Sequence, residues 1–134
     1  MRLLLDTHIA LWSLMNSARL SDAARRMISD ADAIVFYSVV AMWEVAIKHQ
    51  RHLDRMLIDG RGFEALCYEA GFQQLSLDSH HVRTLESLHQ EAGAPPHADP
   101  FDRIMLAQAK ADNLVFLTHD SRLGTYGESC VLMV

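Results

Sequence analysis

Only two cysteines occur in the sequence, Cys67 and Cys130, and two thiols make neither a disulfide framework nor a zinc-ligand spacing. An ordinary hydrophobic core has to hold the chain, and a reducing cytoplasm is the expected setting. Proline is scarce, with three residues, and no Pro-rich or low-complexity tract interrupts the pattern, which leaves no room for a linker. Apolar runs fall far short of a membrane span, and the start MRLLLD enters a strand-like run without the features of a cleavable signal. A soluble, intracellular protein with no membrane partner is expected. Positive charge is also lacking. Twelve Lys and Arg stand against seventeen Asp and Glu, a net charge of −5, the reverse of a protein that binds nucleic acid by neutralising phosphates alone. What is present is ordinary globular composition, 50% hydrophobic and 22% charged, enough for one domain over residues 1–134 with a sizeable core.

The elements alternate. Leu3–Leu5 reads as a strand, Thr7–Met15 as a helix and Ser21–Ala31 as a second, capped by Ser21. Ala33–Tyr37 is β-rich, Val39–His49 helical, and Phe63–Ala70 helical after the punctuation of Gly60 and Gly62. Gln73–Leu77 reads as a strand, and Asp78 caps a helix running to about Glu91. After the loop GAPP comes the segment HADPFDRIML, then strands at Leu114–Thr118 and Val131–Val134 with a short helical turn between them. Strands alternating with helices predict an α/β domain whose parallel sheet is covered on both faces.

In open α/β sheets ligands bind beyond the carboxyl ends of the strands. Asp6 follows LLL, and Asp120 follows VFLT after a short gap. Either alone reads equally well as a helix N-cap; two at one sheet edge point to a site. Glu44 is the only charged residue from Ala33 to Ile47, set in VVAMWEVAI. It reads as a surface partner of Lys48 four residues on, or as a buried acid with a function. In ADPFD, the order Asp99, Pro100, Asp102 fits an N-cap, a first-turn proline and a capping-box acid. It also fits a ligand at the cleft. If Asp6, Glu44, Asp102 and Asp120 converge with Asp99 close behind, their repulsion calls for a cation or protonation. An all-oxygen donor set selects Mg²⁺ or Mn²⁺, ions that act on phosphates. Those five acids equal the whole negative excess, so a bound ion would reverse the local field. Lys48, Arg51, Arg103 and Arg122 are then candidates to grip a phosphate backbone.

LLLDTHIALW, SVVAMWEVAIK, HADPFDRIMLAQA and LVFLTHD, in this order over essentially the full chain, together resemble the PIN domain, specifically the VapC-type toxins of prokaryotic toxin–antitoxin pairs. The resemblance implies a parallel sheet in the order 3-2-1-4-5, a homodimer, a cognate antitoxin protein as partner, and a Mg²⁺- or Mn²⁺-dependent endoribonuclease that hydrolyses RNA with metal-activated water. The family's acids carry over to Asp6, Glu44, Asp102 and Asp120. Its polar supports carry over to Thr7 and Thr118. Asp99 belongs to the D-P-F-D form of the third motif and is expected mainly to cap. No histidine is required, so the eight histidines are read as mostly structural or surface, with His97 and His119 near the cleft. Trp12 and Met15, at helical spacing, read as core packing for most of that face, or as the lining of a groove for an apolar antitoxin helix. Two rival readings use the same acids differently: a receiver-type phosphoacceptor domain, and a PIN fold kept as a catalytically silent binding module. The first lacks adjacent acids after strand one and a lysine after the last strand. The second has no need of mutually repelling charges.

Overall fold

A computed structural model describes residues 1–134. Five strands, β1 (Arg2–Leu5), β2 (Ile34–Ser38), β3 (Gln73–Leu75), β4 (Val115–Thr118) and β5 (Val131–Met133), form one sheet in the order β3-β2-β1-β4-β5. Every pairing is parallel, with Leu3, Leu4 and Leu5 opposite Val35, Phe36 and Tyr37 on one side and Val115, Phe116 and Leu117 on the other. Successive strand side chains point to opposite faces, and all three leucines of β1 are fully buried. Both faces of the central strand are therefore covered, as a near-continuous apolar run predicts. The expected order is found. It differs from the 2-1-3-4-5 order of receiver domains, which removes that reading.

Six α-helices connect the strands: α1 (Thr7–Leu14), α2 (Asp22–Ser29), α3 (Val39–Arg51), α4 (Gly60–Glu69), α5 (Ser79–Leu85) and α6 (Pro100–Asp112), with a 3-10 turn over Ser121–Tyr126 before β5. No helix is long and apolar enough to cross a membrane. Asp6, Ser21, Ser38, Asp59 and Asp99 each accept a backbone N–H at the N-terminus of the helix that follows. Asn113 ends α6 in the left-handed conformation at φ 58°, a state its short polar side chain tolerates.

Two sequence expectations are corrected. Gly60 and Gly62 are not punctuation before a helix but its first turn, and a Cβ on Gly60 would stand 3.2 Å from the Ala46 Cβ. The glycine lets α3 and α4 approach closely. The helix after Asp78 stops at Leu85 rather than near Glu91. Beyond it the chain makes three-residue turns, Ser87 N–H to Thr84 O and Leu88 N–H to Leu85 O, which bury Leu88. Gln90, read as a helix residue, staples the following loop. Its amide donates to Pro95 O at 3.0 Å and Thr125 Oγ1 at 2.9 Å, while its carbonyl accepts from His97 N at 2.9 Å.

A half-buried clasp fastens α5 to the end of α6. His81 Nδ1 accepts from Asp78 N at 2.9 Å, so the proton sits on Nε2, which donates to Asp112 Oδ2 at 2.9 Å. His80 Nε2 meets the other Asp112 oxygen at 2.7 Å. Partial burial works against the charge on Asp112, but the hydrogen bonds from His81 and His80 outweigh it and hold the carboxyl below its ordinary range. A depressed folded-state value stabilises above the unfolded pKa and is lost as pH falls through the folded one. Asp112→Asn should therefore cost about 1–2 kcal/mol at neutral pH, and its denaturant curve should approach the wild type as pH falls through and below the ordinary carboxylate range.

Candidate active site

The sheet order brings the sequence-predicted acids together for a topological reason. β1 and β4 are parallel neighbours, so Asp6 and Asp120, which follow them, leave the same edge side by side. α3 begins directly after β2 and carries Glu44 in its second turn. α6 runs back against β4, which sets its N-terminus, and with it Asp99 and Asp102, at the carboxyl end of the strands. All five acids line one cleft of about 300 Å³ with His8, Trp12, Arg19, Lys48, His119 and Arg122.

A continuous hydrogen-bond network orients the carboxylates. Thr7 Oγ1 donates to Glu44 Oε1 at 2.7 Å, and Thr7 N donates to Asp6 Oδ1 at 2.7 Å. Thr118 Oγ1 donates to the other Asp6 oxygen at 2.6 Å and accepts from Asp120 N at 3.1 Å. Thr7 and Thr118 are both buried. These threonines, expected as supports, each bridge two of the site's residues.

The cap and site readings are not exclusive. Asp6 caps α1 and Asp120 caps the 3-10 turn by accepting from Arg122 N at 3.0 Å. Glu44 pairs with Lys48 at 2.6 Å, as the surface reading had it, yet is itself only 4% exposed. Asp99 caps α6 through Oδ1 alone, at 2.9 Å from Phe101 N and 3.2 Å from Asp102 N; its other oxygen takes no protein hydrogen bond. Asp102 does not close a capping box. It is buried with a single protein partner on its carboxylate, His97 Nε2 at 3.3 Å.

The cost of this convergence appears in the protonation equilibria. Burial, with the charges of Asp6, Asp99, Glu44 and Asp120 added, pushes the Asp102 carboxyl up to about 8. Burial also raises Asp6, against the hydrogen bond from Thr118. Asp120 is held low by the Arg122 fork, with contacts at 2.7 and 3.0 Å. His97 is driven down by burial and then by Arg122, so it stays neutral.

His97 is the residue that sequence reasoning undervalued. It is buried, its Nδ1 lies 3.1 Å from Tyr126 Oη, and its ligand atom falls within 4.8 Å of those of Asp102 and Asp120. Its place five residues before Asp102 was visible, but its contact with Tyr126, twenty-nine residues on, was not. His119 lines the rim, edge-on to Trp12 at 5.7 Å. Of the four expected cations, Lys48 and Arg122 line the cleft, whereas Arg51 and Arg103 do not. Arg19, not singled out in the sequence, does. Of the apolar pair, Trp12 lines the cleft and is half-buried, and Met15 is exposed.

The family model for the PIN domain matches residues 3–128. The chain belongs to the PIN-domain family. No curated protein is significantly similar to it. Among solved structures, this PIN domain resembles the Rickettsia felis VapBC2 complex bound to a DNA fragment from its promoter. The TM-score is 0.70 at 10% identity, covering 100% of this chain and 98% of that one. It also resembles a toxin–antitoxin complex from Klebsiella pneumoniae, with TM-score 0.60 at 20% identity and coverage of 96% and 94%. At these identities the likeness is one of fold.

Proposed function

We propose that this PIN domain is a Mg²⁺- or Mn²⁺-dependent endoribonuclease. We read it as the toxin of a type II toxin–antitoxin pair, acting on RNA in the cytoplasm as a homodimer and restrained by a cognate antitoxin. The observation that carries the nuclease reading is the convergence of Asp6, Glu44, Asp102 and Asp120 on one cleft. The toxin reading rests on the resemblance of the four motifs and on the fold shared with two toxin–antitoxin complexes. The intact acids disfavour a silent binding module.

The donor set fits a hard cation. Every carboxylate of the cleft offers oxygen, no thiol is near, and Asp102 is held protonated up to about pH 8 by burial and the acids around it, a repulsion that a divalent charge relieves. Asp6, Glu44, Asp102 and Asp120 would hold the ion. Such an ion supplies charge stabilisation for a phosphodiester and lowers the pKa of an attacking water. Thr7 and Thr118 fix the directions of Glu44 and Asp6, and His97 fixes that of Asp102. One carboxylate of the set accepts the proton of the attacking water, which is general-base work at hydrogen-bond range. Lys48 and Arg122 line the cleft as cations facing the substrate. In-line attack by water uses no 2′-OH nucleophile, so no catalytic histidine pair is required.

Purified protein should cut RNA in Mg²⁺ or Mn²⁺ and stop when a chelator is added, read on a denaturing gel. Activity that survives chelation overturns the metal reading. Sequencing of RNA ends after induced expression should reveal new, discrete termini; a map without them overturns the nuclease reading.

A further inference from the structure

Three cationic side chains line the cleft, and two of them are occupied. Lys48 is bound to Glu44 at 2.6 Å and Arg122 forks Asp120 at 2.7 and 3.0 Å. The third, Arg19, takes part in none of the chain's six ion pairs. Nor does its side chain enter any of the hydrogen bonds, where only its backbone N–H appears, donating to Ser17 Oγ at 3.1 Å. Its guanidinium instead lies 5.3 Å from the centroid of the Trp12 ring. Trp12 in turn is wedged by His119, edge-on at 5.7 Å, and by His8, tilted at 5.9 Å.

That arrangement has a physical meaning. A guanidinium resting on an indole is attracted by the ring's quadrupole, and its freedom is reduced without spending an N–H. Five donors in a planar fork stay unused. They sit in a cleft whose five carboxylates outnumber its cations, yet Arg19 pairs with none of them. A planar fork matches a phosphate bidentately, and stacking pre-organises it for that contact. The cleft volume of about 300 Å³ lies at the low end for pockets that enclose a small molecule, room for one nucleotide unit rather than a duplex.

We infer that Arg19, stacked on Trp12, is a phosphate-binding residue for a single RNA strand, gripping a phosphodiester that flanks the one at the acids. This rests on the nuclease reading of the same cleft and adds to it a strand-binding wall built from α1 and the segment after it. His8 and His119 hold the indole that holds the arginine. Arg19 acts on substrate position, whereas the acids act on the reacting phosphate.

The test uses a fluorescently labelled single-stranded RNA oligonucleotide, with Ca²⁺ in place of Mg²⁺ as an oxygen-ligated ion, and reads binding by anisotropy across a salt series. Arg19 is exposed, so Arg19→Ala should fold, and its melting temperature should match the wild type. Its affinity should fall about tenfold. The slope of log K against log salt should shrink by about 0.7, the value for losing one phosphate contact on a single strand. Arg19→Lys should recover part of the affinity, since an ammonium binds phosphate as a point charge but lacks the fork. Trp12→Leu, with Arg19 intact, should weaken binding less than Arg19→Ala. The rise in melting temperature on adding Mg²⁺ should be the same in Arg19→Ala as in the wild type. If Arg19→Ala binds RNA with unchanged affinity and salt slope, the inference is overturned while the nuclease reading stands. If it loses the Mg²⁺-induced rise, Arg19 is part of the site's scaffold and the inference is again overturned. Should the wild type neither bind nor cut RNA, both readings fall together.

Discussion

Asp102→Asn, free of divalent metal, should melt at a higher temperature than the wild type at pH 8, and with Mg²⁺ should lose RNA cleavage by orders of magnitude. The stabilisation follows from the direction in which folding moves the proton equilibrium. In the folded chain the Asp102 carboxyl is raised from 3.8 to about 8, first by burial and then by Asp6, Asp99, Glu44 and Asp120. Between those two values the native state holds a proton that the unfolded state has released, so stability falls as pH rises across that window. Below it both states are protonated; above it both are ionised and the penalty is constant. Asparagine removes the charge, keeps nearly the same shape and can still hydrogen-bond His97. The gain over wild type should thus be absent below pH 4, grow through neutrality and level off above about pH 8. Each tenfold change in an acid's dissociation constant corresponds to about 1.4 kcal/mol, and local relaxation absorbs part of the total, so a plateau on the order of 3 kcal/mol is expected. Mg²⁺ should raise the melting temperature of the wild type more than that of the mutant, because only binding to the folded state moves the transition. The matching Asp99→Asn change should do little in either assay, since Asn caps as well as Asp. A metal-free loss of stability in Asp102→Asn, with cleavage retained, would mean that Asp102 serves only the helix start.

Thr118→Val is the second large effect, and it works without touching a carboxylate. Thr118 is fully buried, donates to Asp6 Oδ2 at 2.6 Å and accepts from Asp120 N at 3.1 Å. Valine preserves the volume and removes the hydroxyl, so a buried carboxylate oxygen and a backbone N–H each lose a partner. Left unsatisfied, such groups cost about 1–3 kcal/mol. The larger consequence should fall on metal affinity, because a partner that orients a ligand typically contributes about 10–100-fold. Titration of Mg²⁺ against melting temperature should show that weakening. Circular dichroism should show the fold intact. Affinity equal to wild type would mean that Asp6 is held in place by Thr7 and α1 alone.

Much of the fold was legible from residues close together in the chain. The run Leu3–Leu5 marks a strand buried on both faces, Ser21, Asp78 and Asp99 mark helix starts, and the alternation of elements marks a parallel sheet. The boundary errors have one cause. Gly60 and the residues after Leu85 look like a breaker and a helix tail locally, but the close approach of α4 to Ala46 and the staple from Gln90 to Thr125 involve partners elsewhere in the chain.

The site divides in the same way. Identity and spacing were enough to nominate Asp6, Glu44, Asp102 and Asp120. Glu44, alone in an apolar helix, conflicts with local preference, and two aspartates that follow strands of one parallel sheet fall at the same edge; both signals are written in one dimension. Roles such as those of His97 and Arg19 depend on three-dimensional proximity. Whether a histidine is buried against an acid, or an arginine rests on an indole instead of pairing, is decided when β1 and β4 lie side by side and α6 runs back along them. Burial and electrostatic coupling depend on distance through space, and so the protonation of Asp102 and the free guanidinium of Arg19 exist only in the folded chain.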